Sequence, residues 1–452
     1  MTITDIAFTS SFVAVLWAGT MLTRYAGISL RRFSIPSVVI VVYILVAYLG
    51  ILPLYFGWDT ERLALGVVDR DIVLMVFVYS SVTLILIIAG FIFAHRYLCP
   101  TCDAIGSRRL LATQIGERLV FVALLCISIG MLELYLQKVP SIALLVAKQG
   151  GVGAAALARN QMSTTFAGTY WHYRLFFGPL LELSCIFLYV DYRRSRKLAS
   201  LALFLAAFAF AVFASLMTSE KGPFVELLCA LYLSYAISRG GNYWQPAAKY
   251  ILIFVMVIVA MMYVWFMGVV SVGAGLSQAV FRVFTGQVAP AYFYLAIFPH
   301  VHGYLYGASF PNPGGVLPFA NFNLPMFVST YMYPATTKLG LVGTAPTAFW
   351  AELYANFGPL GVLTAPFPVG ILIYCVHYVL SRFVLTATTV AVHVLVALHL
   401  ATIALSSLSD YLVDTTLFAI LIVMVMALGA RPERVRRRDP SLYRQIGPSV
   451  AP

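Results

Sequence analysis

The chain has 452 residues, 61 % hydrophobic and only 10 % charged, with a formal net charge of +12 and a mean hydropathy of +0.91. A soluble domain carries roughly a quarter charged residues, so this composition excludes an ordinary globular enzyme. A basic surplus would suggest nucleic acid in a soluble protein; in so apolar a chain it points to membrane orientation, and no nucleic-acid partner is expected.

Runs of about twenty apolar residues, long enough to cross a ~30 Å hydrocarbon core, recur along the whole chain. They lie near 8–23, 36–56, 72–94, 118–137, 172–190, 198–217, 222–238, 250–270, 358–380, 384–408 and 411–430. The expected fold is an all-α polytopic integral membrane protein with about eleven transmembrane helices. The opening MTITDIAFTSSFVAVLWAG has no basic n-region and no small-residue cleavage site, so it reads as a retained first helix.

Connector charges orient these spans by the positive-inside bias. Arg24, Arg31 and Arg32 lie in the first connector, and Arg96, Arg108, Arg109 and Arg118 in the third. The fifth carries Arg193, Arg194, Arg196 and Lys197, the seventh Arg239 and Lys249, and the tail reads ARPERVRRRDP. The second is acidic on balance, with Asp59, Glu61, Asp69 and Asp71 against Arg62 and Arg70. The sixth is a short TSEKG, and the tenth offers Asp410 and Asp414 beyond a Ser-rich turn. Odd-numbered connectors therefore face the cytoplasm, with the N-terminus outside and the C-terminus inside. The expected organisation is one transmembrane domain over 1–452. It has an outer connector with an amphipathic helix at 138–171, an outer loop with interfacial helices at 271–357, and a basic cytoplasmic tail at 431–452.

Most arginines then serve as anchors against anionic head groups of the lipid bilayer. Lys148, Arg159, Arg174, Lys221, Arg282 and Lys338 fall outside or at outer span ends, against the bias. Each is a candidate for gripping something negative.

Familiar catalytic signatures are missing. There is no GxxxxGK[ST] or GxGxxG loop, no HExxH and no GxSxG. Cys99 and Cys102 form a CPTC pair, but no second pair completes a zinc site, and Cys126, Cys185, Cys229 and Cys375 sit inside spans as small apolar fillers. No cofactor or metal is expected. Any activated substrate must arrive already energised. Glu133, Glu182 and Glu226, with His377, His393 and His399, fall within spans, where ionisable groups are costly. They read as clamps between helices, or, for the glutamates, as partners that orient outer arginines.

Three constellations converge on the outer face. ARNQMSTTFAGTYWHYRLFFGP holds Arg159, His172 and Arg174 among the interfacial aromatics Tyr170, Trp171 and Tyr173. TSEKGP is a tight turn with Glu220 and Lys221. The third runs from Arg282 to Gly361 and is rich in Gly, Pro, Asn and Tyr.

That last stretch carries RVFTGQ, YFYLAIFP, YGASFPNPGG and PTAFWAELYANFG in order. With the TSEKGP turn, it resembles the O-antigen and exopolysaccharide repeat-unit polymerases, the Wzy-type enzymes. The resemblance is best over 282–370; residues before 150 add only topology. It implies a GT-C-like, lipid-linked glycosyltransferase of the bacterial inner (cytoplasmic) membrane, working at the periplasmic face without nucleotide sugar. Such an enzyme transfers a growing glycan from undecaprenyl diphosphate to the outermost sugar of a new undecaprenyl-diphosphate-linked oligosaccharide. A chain-length regulator and a flippase are the implied protein partners. Two departures are that Lys221 stands where an arginine is expected, and that the outer loop is tight and proline-rich.

A departing diphosphate needs fixed cations, and the planar guanidinium fork meets phosphate oxygens bidentately. Arg282 and Arg174, supported by Arg159 and Lys221, are the expected diphosphate ligands. The attacking hydroxyl needs a base; Glu352, His300 and His302 are the candidates, with Asp59, Glu61, Asp69 and Asp71 as rivals. Asn356, one turn from Glu352, is expected to orient the carboxylate or a sugar hydroxyl. Tyr292, Tyr304, Tyr306, Trp350 and His172 complete the expected sugar contacts, although lone aromatics also serve as interfacial anchors. An O-antigen ligase-like glycosyltransferase, and a transporter or flippase of lipid-linked glycans, are the alternatives. No internal repeat of the transporter kind is visible.

Overall fold

The computed structural model describes residues 2–99, 110–163, 166, 168–246, 248–267, 271–316, 318–338, 340 and 343–430. The basic tail at 431–452, Cys102 of the CPTC pair, Arg108 and Arg109 lie outside the described residues, as does the side chain of Lys148.

Helices α1 (Ile3–Tyr25), α2 (Ile35–Tyr55), α3 (Arg70–Leu98), α4 (Ile115–Leu136), α6 (Tyr170–Ser195), α7 (Leu198–Leu216), α15 (Ala387–Ala404) and α16 (Ser409–Gly429) are long and apolar enough to cross a membrane. The chain is a multi-pass all-α membrane protein. Between them lie α5 (Ala143–Met162), α8 (Gly222–Ser238), α9 (Ala248–Met267), α10 (Val272–Phe284), α11 (Ala289–Ile297) and α12 (Leu324–Met332). Of these, α8 and the Ala248–Met262 part of α9 are apolar but short. Helices α13 (Phe349–Thr364) and α14 (Pro366–Ser381) form a pair bent by 68°. The span expected at 358–380 therefore starts nine residues earlier and is broken. Gly358 (φ 61°) and Pro359 disturb α13, and Pro366, which cannot donate to a continuing ladder, opens α14.

Burial sorts the helices. In α15, 83 % of the most apolar stretch is buried, against 22 % in α1 and in α7. Helix α15 is thus the axis of the bundle, and the other two lie at its rim. Polar locks serve the same packing: Arg118 Nη2 meets Asp191 Oδ2 at 3.0 Å, and Thr388 Oγ1 donates to Glu117 Oε1 at 2.8 Å.

Helices α3 and α14 cross with their backbones in contact. A Cβ on Gly90 would stand 2.3 Å from the Phe367 carbonyl oxygen, and one on Gly370 would stand 2.3 Å from that of Ile87. Close approach through small residues is how membrane helices gain packing contact. Gly370→Leu is expected to lower stability by about 3 kcal/mol, because the obstacle is backbone and cannot rotate away. A thermal scan of the detergent-solubilised variant measures this; an unchanged Tm contradicts the crossing.

Candidate functional site

The corner between α10 and α11 is held from several sides. A Cβ on Gly50 of α2 would lie 1.9 Å from the Phe284 carbonyl oxygen, so α2 touches the end of α10 directly. Asp59, buried at 4 % exposure, accepts a hydrogen bond from Thr285 Oγ1 and stands 3.8 Å from Arg62 Nε. Thr347 Oγ1 donates to the Gln287 carbonyl at 2.7 Å. The Asp69 N–H donates to Tyr292 Oη at 3.2 Å. Arg282, in the last turn of α10, is exposed on this fixed corner. Beside it, a cavity of about 270 Å³ is lined by Asp59, Thr60, Glu61, Ser277, Gln278 and Phe281.

Lys221 precedes α8 in a turn where Ser219 adopts φ 59°. Burial pushes its ammonium down to about 8, and the neighbouring Arg282 and Arg159 push further in the same direction. Cations from three segments of the chain thus lie within electrostatic range of one another at Lys221. Arg159 and Arg282 each sit in the last turn of a helix, where the dipole favours positive charge. None of the described ion pairs involves either arginine. Like charges held this close repel, so an anion bound between them relieves the repulsion.

The linkage has a definite sign. The Lys221 pKa falls from 10.5 to about 8, so charging it in the fold is unfavourable below about pH 8, and the penalty lifts as pH rises toward 10.5. Its attraction for an anion runs the other way: present below about pH 8 and lost above. Inorganic pyrophosphate followed by calorimetry should bind more weakly at about pH 9 than at about pH 7, whereas Lys221→Arg should retain its binding. Equal pH dependence in the two proteins would contradict this assignment.

Arg174 is another of the expected diphosphate ligands. It is exposed in the first turns of α6, 5.0 Å from the Trp171 ring and 6.0 Å from that of Tyr170. Its charged neighbours are Glu226 of α8 and Asp410 of α16. Glu226 in turn faces Glu182 of α6 and His399 of α15. His399 Nε2 lies 2.5 Å from Asp414 Oδ2. This second group mixes one arginine, one histidine and four carboxylates.

No family model, curated protein or solved structure matches this chain.

Glu352 sits 1 % exposed with both oxygens committed. Ser309 Oγ donates to Oε1 at 2.7 Å, and the Ser409 N–H donates to Oε2 at 3.0 Å. Asn356, fully buried, donates to Ser309 Oγ at 2.8 Å and accepts from the Gly307 N–H at 2.9 Å. Together they fasten the loop at 307–309 to α13 and α16. Glu352, a candidate base in the sequence, thus clamps two neutral donors. Trp350 is also a core residue, 1 % exposed and packed on Tyr79. Tyr292 is buried, and Tyr304 packs against Tyr354, with its ring over Gly358.

His302 packs among Phe298, Phe322 and Phe327, and its Nδ1 lies 2.7 Å from the Gly303 carbonyl. His300, His172 and Tyr306 are exposed. Lys338 is exposed at the end of the short helix Pro334–Lys338, and Glu133 is exposed near the end of α4. Among the rival acids, Asp59 is occupied at the corner, and Asp69 caps α3. Glu61 is exposed at the cavity. Sequence reasoning missed the convergence of His399, Asp410 and Asp414. The available signal was the i,i+4 spacing of the two aspartates after a span with a histidine near its end.

Proposed function

We propose that this chain is a glycosyltransferase of the bacterial inner membrane that lengthens a glycan on undecaprenyl diphosphate, a Wzy-type repeat-unit polymerase of GT-C-like architecture. The observation that carries the reading is that Lys221 feels the charges of both Arg282 and Arg159. Basic residues placed against the membrane's charge bias and then gathered from three segments suit a ligand with several negative charges. A lipid diphosphate at the outer leaflet is such a ligand, and its charge grows as the glycosidic bond breaks.

The surroundings support the same chemistry. The polar cavity beside Arg282, with its carboxylates, hydroxyls, amide and phenyl ring, suits the hydroxyl groups and apolar face of a sugar. An apolar groove of about 510 Å³, lined by Phe310, Leu353, Phe357, Leu360 and Leu408 among others, suits an isoprenoid chain. In this reading the chain crosses the membrane about eleven times. The bent pair and the two shorter apolar helices supply the additional crossings. The N-terminus is periplasmic, the C-terminus cytoplasmic, and the cation cluster faces the periplasm. A flippase delivers the substrate, and a chain-length regulator acts on the product.

Purified protein in detergent, given lipid-linked repeat units from the cells that make them and no nucleotide sugar, should produce a ladder of longer glycans. Unchanged repeat units would count against the reading. Movement of the lipid across a vesicle without extension would transfer it to transport.

A further inference from the structure

His399 lies in the last α-helical turn of α15, and its imidazole is held from two sides. Nε2 lies 2.5 Å from Asp414 Oδ2. The Tyr411 ring packs against the imidazole at 5.4 Å, and Tyr411 Oη donates to the His399 carbonyl at 3.1 Å. Asp414 is itself fixed, because its other oxygen accepts from the Leu417 N–H at 2.9 Å and caps the helix that follows. An ionised carboxylate can only accept. Nε2 therefore carries the proton and Nδ1 the lone pair, a tautomer assigned by the partner. Nδ1 has no hydrogen-bond partner among the described residues, and the side chain is 25 % exposed.

The charged and titratable groups facing this ring come from α16 and α8, with one more from α6 beyond them. Asp414, Asp410 and Tyr411 belong to α16, and Glu226 to α8; Arg174 of α6 stands beyond, beside Asp410 and Glu226. Positive charge that forms on the imidazole therefore meets carboxylates already in position, with no rearrangement needed. His300 and His302 have no such arrangement: one is exposed, and the other turns Nδ1 toward the Gly303 carbonyl.

Resting on the polymerase reading, we propose that His399 accepts the proton of the attacking hydroxyl and that Asp414 positions it. The acceptor-sugar oxygen forms the new bond to the donor's anomeric carbon. The bond from that carbon to the phosphate oxygen breaks, and its electron pair leaves with undecaprenyl diphosphate. The hydroxyl proton moves to His399 Nδ1, and the imidazolium gives it to water before the next turnover.

The test follows extension of lipid-linked repeat units by the purified full-length chain against pH. In His399→Gln the amide can take the place of Nε2 and keep the bond to Asp414, while the proton acceptor is gone. Its kcat is expected to fall about 10²–10⁴-fold with KM little changed, and the acid limb of the pH profile should vanish. Asp414→Asn keeps the helix cap and should fall similarly by holding the wrong tautomer. Free imidazole should restore part of the activity of His399→Ala. A His399→Gln protein with the wild-type rate and pH profile overturns the proposal. A folded, monodisperse His399→Ala protein whose loss imidazole does not restore also overturns it. A wild-type protein that extends nothing removes the polymerase reading itself, which keeps the two failures distinct.

Discussion

Arg282→Ala should abolish glycan extension while the protein still inserts, folds and purifies as the wild type does. The residue is exposed at the end of α10, so truncation opens no void in the core. The backbone beneath it is held independently by Gly50 against Phe284, by Asp59 on Thr285 and by Thr347 on Gln287. On the proposed reading what disappears is a preorganised cation at the leaving group, and removing one such group costs about 10²–10³ in rate. Arg282→Lys should fall by about an order of magnitude, because it keeps the charge and loses the bidentate fork. Wild-type product lengths from Arg282→Ala would sink the diphosphate assignment.

Glu352→Ala should be the most damaging change to the fold near the site. Two donors, Ser309 Oγ and the Ser409 N–H, are left facing a void, and Asn356 loses the Ser309 geometry it shares. Unsatisfied buried donors and the cavity together lower stability by about 3–5 kcal/mol. Glu352→Gln retains one acceptor and turns an amide N–H toward one of the two donors, so about 1–3 kcal/mol is lost. Thermal scans of both variants measure this order. Below their melting temperatures, turnover per folded Glu352→Gln molecule separates a clamp from a base, and near-wild-type turnover is the clamp's result.

The membrane class was legible from composition alone, because an apolar chain with so few charges has no soluble solution. The cation cluster was partly legible for a related reason. On the topology read from the connector charges, Arg159, Lys221 and Arg282 each break the positive-inside bias, so each is a local anomaly visible before any packing is known. Arg174 breaks the same bias but lies with Glu226 and Asp410, a pairing that depends on how α6, α8 and α16 pack.

His399 was harder to find. A histidine inside a span and two aspartates in a Ser-rich turn are each ordinary, and only the return of α16 along α15 joins them. Burial of Trp350 and Glu352 was hidden in the same way. Local sequence shows an aromatic and an acid in a polar loop, but whether α13 turns them inward is decided by its bend against α14. That bend had a signal in Gly358, Pro359 and Pro366 that the reading of one continuous span passed over.

The central claim is that Arg159, Lys221 and Arg282 together hold a lipid diphosphate. Titration of undecaprenyl diphosphate into the detergent-solubilised protein tests it most directly. Saturable binding that weakens with salt, drops in each single alanine variant and vanishes in the triple variant is the expected result. Equal affinity in wild type and triple variant, with all proteins folded, contradicts the account.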